Sequence, residues 1–306
     1  MKAKKSLGQN FLKGEFILKK IVETGEINED DIILEIGPGK GALTKKLLES
    51  TGKVVAIEKD NQLFEFLQEK FAEQIANKKL ILINDDILSF NPSYFLPLNP
   101  SPNTEWGPHD KKIRRVSAED SEGACDFFDA RVPPGTPGRV KCEKITSPEA
   151  TQNYKIIANI PYNITGAIFK KFLTAENQPS LMVLMVQHEV AKRVVASEKE
   201  SILSISVKAY GQPKMIMKVD KRYFSPAPKV NSAVIKISNI NRKIFTDNNI
   251  NEEKFWEIVK KGFAHKRKKL SGNLKNVISG DKLTTLGLQN KRAENLTLKD
   301  WILLTK

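Results

Sequence analysis

The stretch Asp31-Ile32-Ile33-Leu34-Glu35-Ile36-Gly37-Pro38-Gly39-Lys40-Gly41, followed by Ala42-Leu43-Thr44-Lys45-Lys46-Leu47-Leu48, constrains the fold of this chain more than any other. Its aliphatic start is the kind of run that forms a buried parallel strand, and the segment after the glycines has helical spacing. Glycines at alternate positions permit a sharp turn and let a ligand approach the backbone closely. Strand, glycine turn and helix in this order belong to parallel α/β sheets, which bind ligands at the carboxyl ends of their strands.

Six further strand-type runs lie at residues 53–57, 80–84, 154–158, 181–186, 215–219 and 233–237. Helical patterns such as residues 167–173 and 188–194 separate most of them, so the expected fold is a mainly parallel, open sheet of seven strands. From about Asn241 the pattern is helical only, as in residues 255–261. The reading therefore places an α/β domain at 1–240 and a small helical domain at 241–306.

The strand ends carry the chemistry. The second run ends in Glu58, at the spacing of a carboxylate that accepts hydrogen bonds from ribose hydroxyls, and the third ends in Asp85-Asp86, where a carboxylate would meet an adenine amine. Each acid taken alone reads equally well as a solvated strand-end charge. Acids on consecutive strand ends favour a ligand, and Glu35 beside the turn suits a cation rather than a pyrophosphate.

The fourth run ends in Asn159-Ile160-Pro161-Tyr162. An adenine amine is a poor nucleophile because its lone pair is delocalised into the ring. An Asn side-chain oxygen and a backbone carbonyl held outward by proline accept its two hydrogens and leave the lone pair aimed. Neutral acceptors do this without burying a charge, and the Tyr162 ring offers a stacking face for a base drawn out of its helix. Together with the cofactor seat, the tetrapeptide reads as methyl transfer from S-adenosyl-L-methionine to the exocyclic amine of a base.

These motifs resemble those of the ribosomal RNA adenine N(6),N(6)-dimethyltransferases of the KsgA type. The resemblance includes Lys5-Ser6-Leu7-Gly8-Gln9-Asn10-Phe11-Leu12, the glycine turn, Asn159 through Thr165, and Phe224-Ser225-Pro226-Ala227-Pro228-Lys229-Val230-Asn231-Ser232-Ala233-Val234. It implies a seven-stranded Rossmann-like methyltransferase domain with a small all-helical C-terminal domain. The implied activity is dimethylation of two adjacent adenines near the 3′ end of small-subunit (16S) ribosomal RNA in an assembling 30S particle. Carried over by position, Asn10, Leu12, Gly37, Gly39, Glu58, Asp86 and Asn159 would line the cofactor site. Asn159, Pro161 and Tyr162 would hold the target base, with Phe224 as a second aromatic wall, and no metal is implied.

Charge agrees with a nucleic-acid partner. Fifty Lys and Arg against 36 Asp and Glu leave a formal charge of +14, the balance of a protein that approaches phosphates. Within the helical part, His265-Lys266-Arg267-Lys268-Lys269 reads either as a solvated helix face or as a phosphate contact, and Lys266, Arg267, Lys268 and Lys269 are the candidate RNA-binding residues. No apolar stretch approaches the ~20 residues that span a membrane. The basic start lacks the apolar region of a secretion signal, so the expected location is cytoplasmic. Nothing in the sequence demands a dimer, and the expected state is monomeric.

One block departs from the resembled pattern. Asp86 and Asn159 lie 73 positions apart (159 − 86), roughly fifty more than a compact connection needs. The block at about 93–152, with Pro92 just before it, accounts for nine of the 15 prolines and almost no apolar periodicity, so it reads as a Pro-rich insertion. Cys125 and Cys142, the only cysteines, lie within it and do not make a four-ligand zinc set. It is either a passive surface insertion or an RNA contact through residues such as Lys111, Arg114 and Arg131.

Two other readings stay open on sequence alone. A large-subunit ribosomal RNA adenine methyltransferase conferring antibiotic resistance has a closely similar tetrapeptide and Pro-x-Pro-Lys-Val run. A non-catalytic ribosome assembly factor would keep the fold without turnover. Gly8 through Leu12, Pro38 and residues 263–274 favour the small-subunit enzyme over the first, and intact Asn159, Pro161, Tyr162 and Phe224 favour it over the second.

Overall fold

The expected strands and helices alternate along the chain in a computed structural model that describes residues 3–4, 7–51, 53–90, 154–195 and 198–306. In chain order they begin with β1 (Phe11–Leu12), α1 (Glu15–Thr24), β2 (Ile32–Ile36), α2 (Ala42–Leu48), β3 (Lys53–Glu58), α3 (Asn61–Lys70), α4 (Ala72–Ala76) and β4 (Leu80–Asn84). After the undescribed block come β5 (Tyr154–Asn159), α5 (Thr165–Leu173), β6 (Leu181–Gln187), α6 (His188–Val195), α7 (Ile202–Lys208), β7 (Gln212–Val219), β8 (Phe224–Ser225) and β9 (Ser232–Ser238). Five helices close the chain: α8 (Lys243–Thr246), α9 (Glu252–Gly262), α10 (Leu270–Asn273), α11 (Gly280–Thr285) and α12 (Leu298–Thr305).

Seven strands form one sheet in the order β4-β3-β2-β5-β6-β9-β7. Strands β2 to β6 run parallel, and β9 lies antiparallel to both β6 and β7. This is a Rossmann-like sheet. The chain first builds outward from β2 to β3 and β4, then returns to the opposite side of β2 as β5. Such a reversal leaves a crevice at the strand carboxyl ends, between the loops that leave β2 and β5. The aliphatic runs explain the order, because β2, β3, β5 and β6 are almost wholly buried and require helices on both faces.

A second, two-stranded ladder was not foreseen from sequence. β1 pairs antiparallel with β8, with Phe11 opposite Ser225 and Leu12 opposite Phe224. Two-residue strands carry too little alternation to be read locally; distant pairing alone defines them.

The helical segment 241–306 does not break away from the sheet. One compact unit comprises Met1–Ser93 together with Asn153–Lys306. Tyr210, between α7 and β7, donates its hydroxyl to the Glu252 carboxylate and accepts from Trp256 Nε1 at 2.9 Å. Arg242 binds Glu252 at 3.1 Å and also reaches the carbonyls of Thr174 and Ala175. These polar bonds sit within an aromatic group of Tyr210, Phe245, Phe255 and Trp256, which fastens α8 and α9 to the α/β part. The expected insertion at about 93–152, with Cys125 and Cys142, lies outside the described residues.

Trp301 on α12 is fully buried and its ring lies against Gly262 at the end of α9. A Cβ on Gly262 would fall 2.3 Å from Trp301 Cη2. Gly262→Ala is therefore expected to destabilise the protein by about 1–3 kcal/mol through overpacking. Chemical denaturation measures this, and a variant as stable as wild type would show that α12 yields freely.

Candidate active site

The turn after β2 is built by three glycines in left-handed backbone geometry, Gly37 at φ 65°, Gly39 at 60° and Gly41 at 73°. Side chains are strained there, and at Gly41 a Cβ would also meet the Phe71 ring at 2.5 Å. Gly37 differs in its surroundings: a Cβ there would touch only Pro161 Cδ, at 3.9 Å, so its outer face is open to the crevice. The turn is pinned from beneath. Gly37 N–H donates to the Ile57 carbonyl at 2.9 Å, and Gly39 N–H donates to Glu58 Oε2 at 3.0 Å.

Glu58 thus sits at the carboxyl end of β3 as the sequence placed it, and it also accepts from Asp60 N–H at 2.9 Å. Burial raises its pKa, with the Asp60 charge adding and the backbone donors opposing. Asp60 was missed in the sequence. Its carboxylate takes Lys4 Nζ at 2.7 Å and Gln9 Nε2 at 2.9 Å, while capping α3 through Gln62 N–H. An Asp two residues beyond the strand end, directly before a helix, was the available signal.

Through Asp60 the N-terminal arm is drawn across the site. Gly8, at φ 65°, faces Asn163 and Pro161, and the Phe11 ring lies 3.1 Å from where a Gly39 Cβ would be. Lys40 Nζ stands 4.9 Å above that ring. Asn10 folds back to its own turn, donating Nδ2 to the Gly8 carbonyl at 3.0 Å. Its carbonyl accepts from Asn159 Nδ2 at 3.1 Å, which leaves Asn159 Oδ1 with no hydrogen bond among the described residues. The Pro161 carbonyl is used by the turn, accepting from Ile164 N–H at 3.3 Å, whereas no hydrogen bond among the described residues reaches the Ile160 carbonyl. Tyr162 is half-buried, with its hydroxyl 2.5 Å from Ser232 Oγ.

The crevice therefore brings together Asn10, Gly37, Gly39, Glu58, Asn159, Pro161 and Tyr162. Other expected residues sit differently. Leu12, at the end of the arm, buries its side chain in the core and pairs through its backbone with Phe224. Phe224 is 4% exposed and paired with Leu12, so its ring is part of the same core rather than an open wall. Asp86, two strands from β2, is ion-paired with Lys59 at 2.7 Å; burial opposes ionisation, but Lys59 and Leu88 N–H hold its pKa below the usual range. Lys266 to Lys269 lie on an exposed turn between α9 and α10, not on a helix face, and Lys269 Nζ donates to Asn290 at 2.9 Å. The break in helix follows from packing, since Gly262 and Leu270 on either side are buried while the cations between them face solvent.

Fold and crevice together define a Rossmann-like methyltransferase. Two solved structures share the architecture: a dimethyladenosine transferase from Plasmodium falciparum (TM-score 0.65, 22% identity, 96% of this chain and 95% of that one) and the 23S rRNA methyltransferase ErmE (TM-score 0.63, 20% identity, 97% and 98%). Residues 1–306 match the family model described as ribosomal RNA adenine dimethylase, and the chain belongs to that family. Curated relatives named ribosomal RNA small subunit methyltransferase A include one from Dehalococcoides mccartyi, 31% identical over 99% of this chain and 88% of its own length. Another, from Rippkaea orientalis, is 33% identical over 99% of this chain and 96% of its own. The chain is accordingly a ribosomal RNA adenine dimethyltransferase whose cofactor is S-adenosyl-L-methionine.

The residues present fit that cofactor. Gly37 leaves beside the turn a space that any side chain would fill. Glu35, directly under it, is 1% exposed with Oε2 unpartnered. An unpaired buried carboxyl beside the crevice suits a cationic ligand. Its pKa is pushed up to about 8, chiefly by burial; the Glu58 charge raises it further, and neighbouring Thr44 lowers it without satisfying Oε2.

From about pH 5 to pH 8 the folded protein keeps the Glu35 proton that the unfolded chain has lost. Stability contributed by this group is thus complete below the unfolded pKa and falls as pH rises, by about 1.4 kcal/mol per unit. Glu35→Gln should flatten that slope in denaturation curves taken across the interval without ligand. Parallel slopes for variant and wild type would refute the assignment.

Proposed function

We propose that this protein dimethylates two adjacent adenines near the 3′ end of small-subunit ribosomal RNA, acting as a cytoplasmic monomer on the assembling small subunit. The observation that carries the reading is the Asn159 amide: Nδ2 is committed to the Asn10 carbonyl, which leaves Oδ1 with no hydrogen bond among the described residues, while nearby Pro161 borders the open face of Gly37. The names of the curated relatives support the small-subunit target.

S-adenosyl-L-methionine supplies a methyl group activated by its own sulfonium charge. Glu58, held by Gly39 and Asp60, presents its remaining lone pairs to ribose hydroxyls, while Gly37 and Gly39 allow close approach of the ligand. Asp86 stands at the adenine end, steadied by Lys59, and Asn10 closes the site from the arm. On the substrate side Asn159 Oδ1 and the Ile160 carbonyl accept the two amine hydrogens and direct the lone pair toward the crevice. Tyr162, its hydroxyl fixed by Ser232 and its pKa raised by burial, stays neutral and offers a ring face to the flipped base. After transfer the amine proton passes to water. The exposed Lys266 to Lys269 turn supplies phosphate contacts at a distance from the chemistry.

Asn159→Ala should reduce methylation by at least about 100-fold, the scale of losing an oriented acceptor at a reacting group, while RNA binding changes little. Mass spectrometry of ribosomal RNA after incubation with S-adenosyl-L-methionine and unmethylated small or large subunits reads both points. Dimethyladenosine confined to the large subunit would replace the proposed target, none in either would favour an assembly factor, and near wild-type turnover by the variant would overturn the aiming role.

A further inference from the structure

Beside the base site the rim of the sheet holds a second concavity of about 290 Å³, lined by His188, Glu189, Lys221, Lys229, Val230 and Asn231. It forms where β6 passes into α6, alongside the turn that precedes β8 and the loop that enters β9. Asn231 binds these three segments together. Its carbonyl accepts from His188 N–H at 2.9 Å, and its Oδ1 accepts from Lys221 N–H at 3.0 Å. The next residue, Ser232, meets the Tyr162 hydroxyl. One peptide bond therefore connects the floor of this cleft to the support of the proposed stacking ring.

The cleft is cationic. Lys221 and Lys229 line it, and Lys192 on α6 and Lys218 on β7 add their charges around His188. Among the described residues none of these four lysines forms an ion pair. The acids nearby are Glu189 on α6 and Asp220, the latter engaged with Arg222 at 4.0 Å. Burial, then Lys192 and Lys218, lower the His188 pKa against the pull of Glu189, so the imidazole is neutral at physiological pH and both donates and accepts hydrogen bonds. Val230, 46% exposed, adds an apolar surface to the rim. Unpaired lysines, a neutral imidazole and an exposed aliphatic face in one concavity match the parts of a ribonucleotide: phosphate, ribose hydroxyl and the hydrophobic face of sugar or base.

We propose that this cleft seats the ribose-phosphate of a nucleotide adjoining the target adenine, with Lys221 and Lys229 on the phosphate and His188 and Val230 against the ribose. The assignment rests on the reading that a flipped RNA adenine occupies the Asn159–Tyr162 site. It makes the cleft a positioning device: a flipped base is held only if the chain leaving it is held too, and a neighbouring phosphate supplies that anchor at the correct side of the tyrosine.

The test compares the full-length wild type with Lys221→Ala/Lys229→Ala and Lys221→Arg/Lys229→Arg. Binding of a fluorescent single-stranded RNA carrying two adjacent adenines is followed by anisotropy at salt concentrations from about 50 to about 200 mM. The alanine pair should weaken binding about tenfold at the lower salt and reduce the slope of log K against log salt by about 1.4 if both lysines meet phosphates, at ~0.7 per single-strand contact. The arginine pair should retain both, and calorimetric affinity for S-adenosyl-L-methionine should not change. His188→Ala should narrow the preference for this RNA over the DNA of the same sequence. Unchanged affinity and slope in the alanine pair, or no RNA binding by wild type, overturns the proposal and would leave an acidic protein partner as the occupant. Methylation of small subunits by wild type is scored separately by mass spectrometry. Its failure beside a reduced slope would sink the target reading alone, and its success beside an unchanged slope would sink the cleft alone.

Discussion

A buried carboxylate at the end of β3 holds the ligand side of this molecule together. Glu58 accepts Gly39 N–H with one oxygen and Asp60 N–H with the other, so it fixes the glycine turn of β2 and the start of α3 simultaneously. Charge-assisted bonds of this kind are worth about 1.5–3 kcal/mol each, set against the cost of burying the charge. Asp60 then extends the same scaffold to Lys4 and Gln9, which brings the N-terminal arm over the crevice. With the β1–β8 ladder holding the other side, that relay sets the Asn10 carbonyl opposite Asn159. The geometry of the substrate amide is thus tied, through three hydrogen-bonded links, to a single acid.

The parallel strands and the acid at the end of β3 were legible because their patterns are local. Aliphatic runs of five or six residues, glycines at alternate positions and a helix start can all be recognised within twenty residues of one another. The same held for the tetrapeptide, whose chemistry is encoded in residue type. What escaped the reading depends on distant pairing. The β1–β8 ladder joins residues more than two hundred positions apart, and its burial of Leu12 and Phe224 removes both side chains from the open site. Asp60 went unread, since nothing near it in sequence announces Lys4 or Gln9. The boundary near residue 240 was drawn where the pattern changes from mixed to helical, yet Tyr210 and Arg242 pack the helices back onto the sheet. A change of secondary structure marks a change of layer more reliably than a change of folding unit.

The cations of this protein are sorted by role. Lysines with structural tasks are paired: Lys155 binds Asp31 at 2.7 Å, Lys208 binds Glu200, and Lys236 binds Glu26. Those of the exposed α9–α10 turn and those around His188 form no ion pairs among the described residues. Unpaired cations on a surface lose little by meeting phosphate, because no existing bond is broken and counterions are released on contact. The formal charge of +14 is thus less informative than its distribution, which leaves selected rims free of ion pairs while lysines on β5, α7 and β9 are paired.

That sorting solves a conflict built into the reaction. A sulfonium cofactor and a polyanionic substrate must approach within bond-forming distance, so one site must favour both signs without either field cancelling the other. Acids stand at the ends of β2, β3 and β4: Glu35 and Glu58 are buried, which raises the pKa of each, while Asp86 is partly exposed and paired with Lys59. Lysines at the crevice such as Lys4 and Lys59 are paired with Asp60 and Asp86, while those without ion pairs among the described residues include the ones around His188 and on the α9–α10 turn. Between them the Asn159 tetrapeptide presents only an amide oxygen, a peptide carbonyl and a neutral phenol. A charged acceptor at that position would bind the amine more strongly but would also repel the phosphates that deliver it, whereas neutral dipoles aim the lone pair at no electrostatic cost to either neighbour.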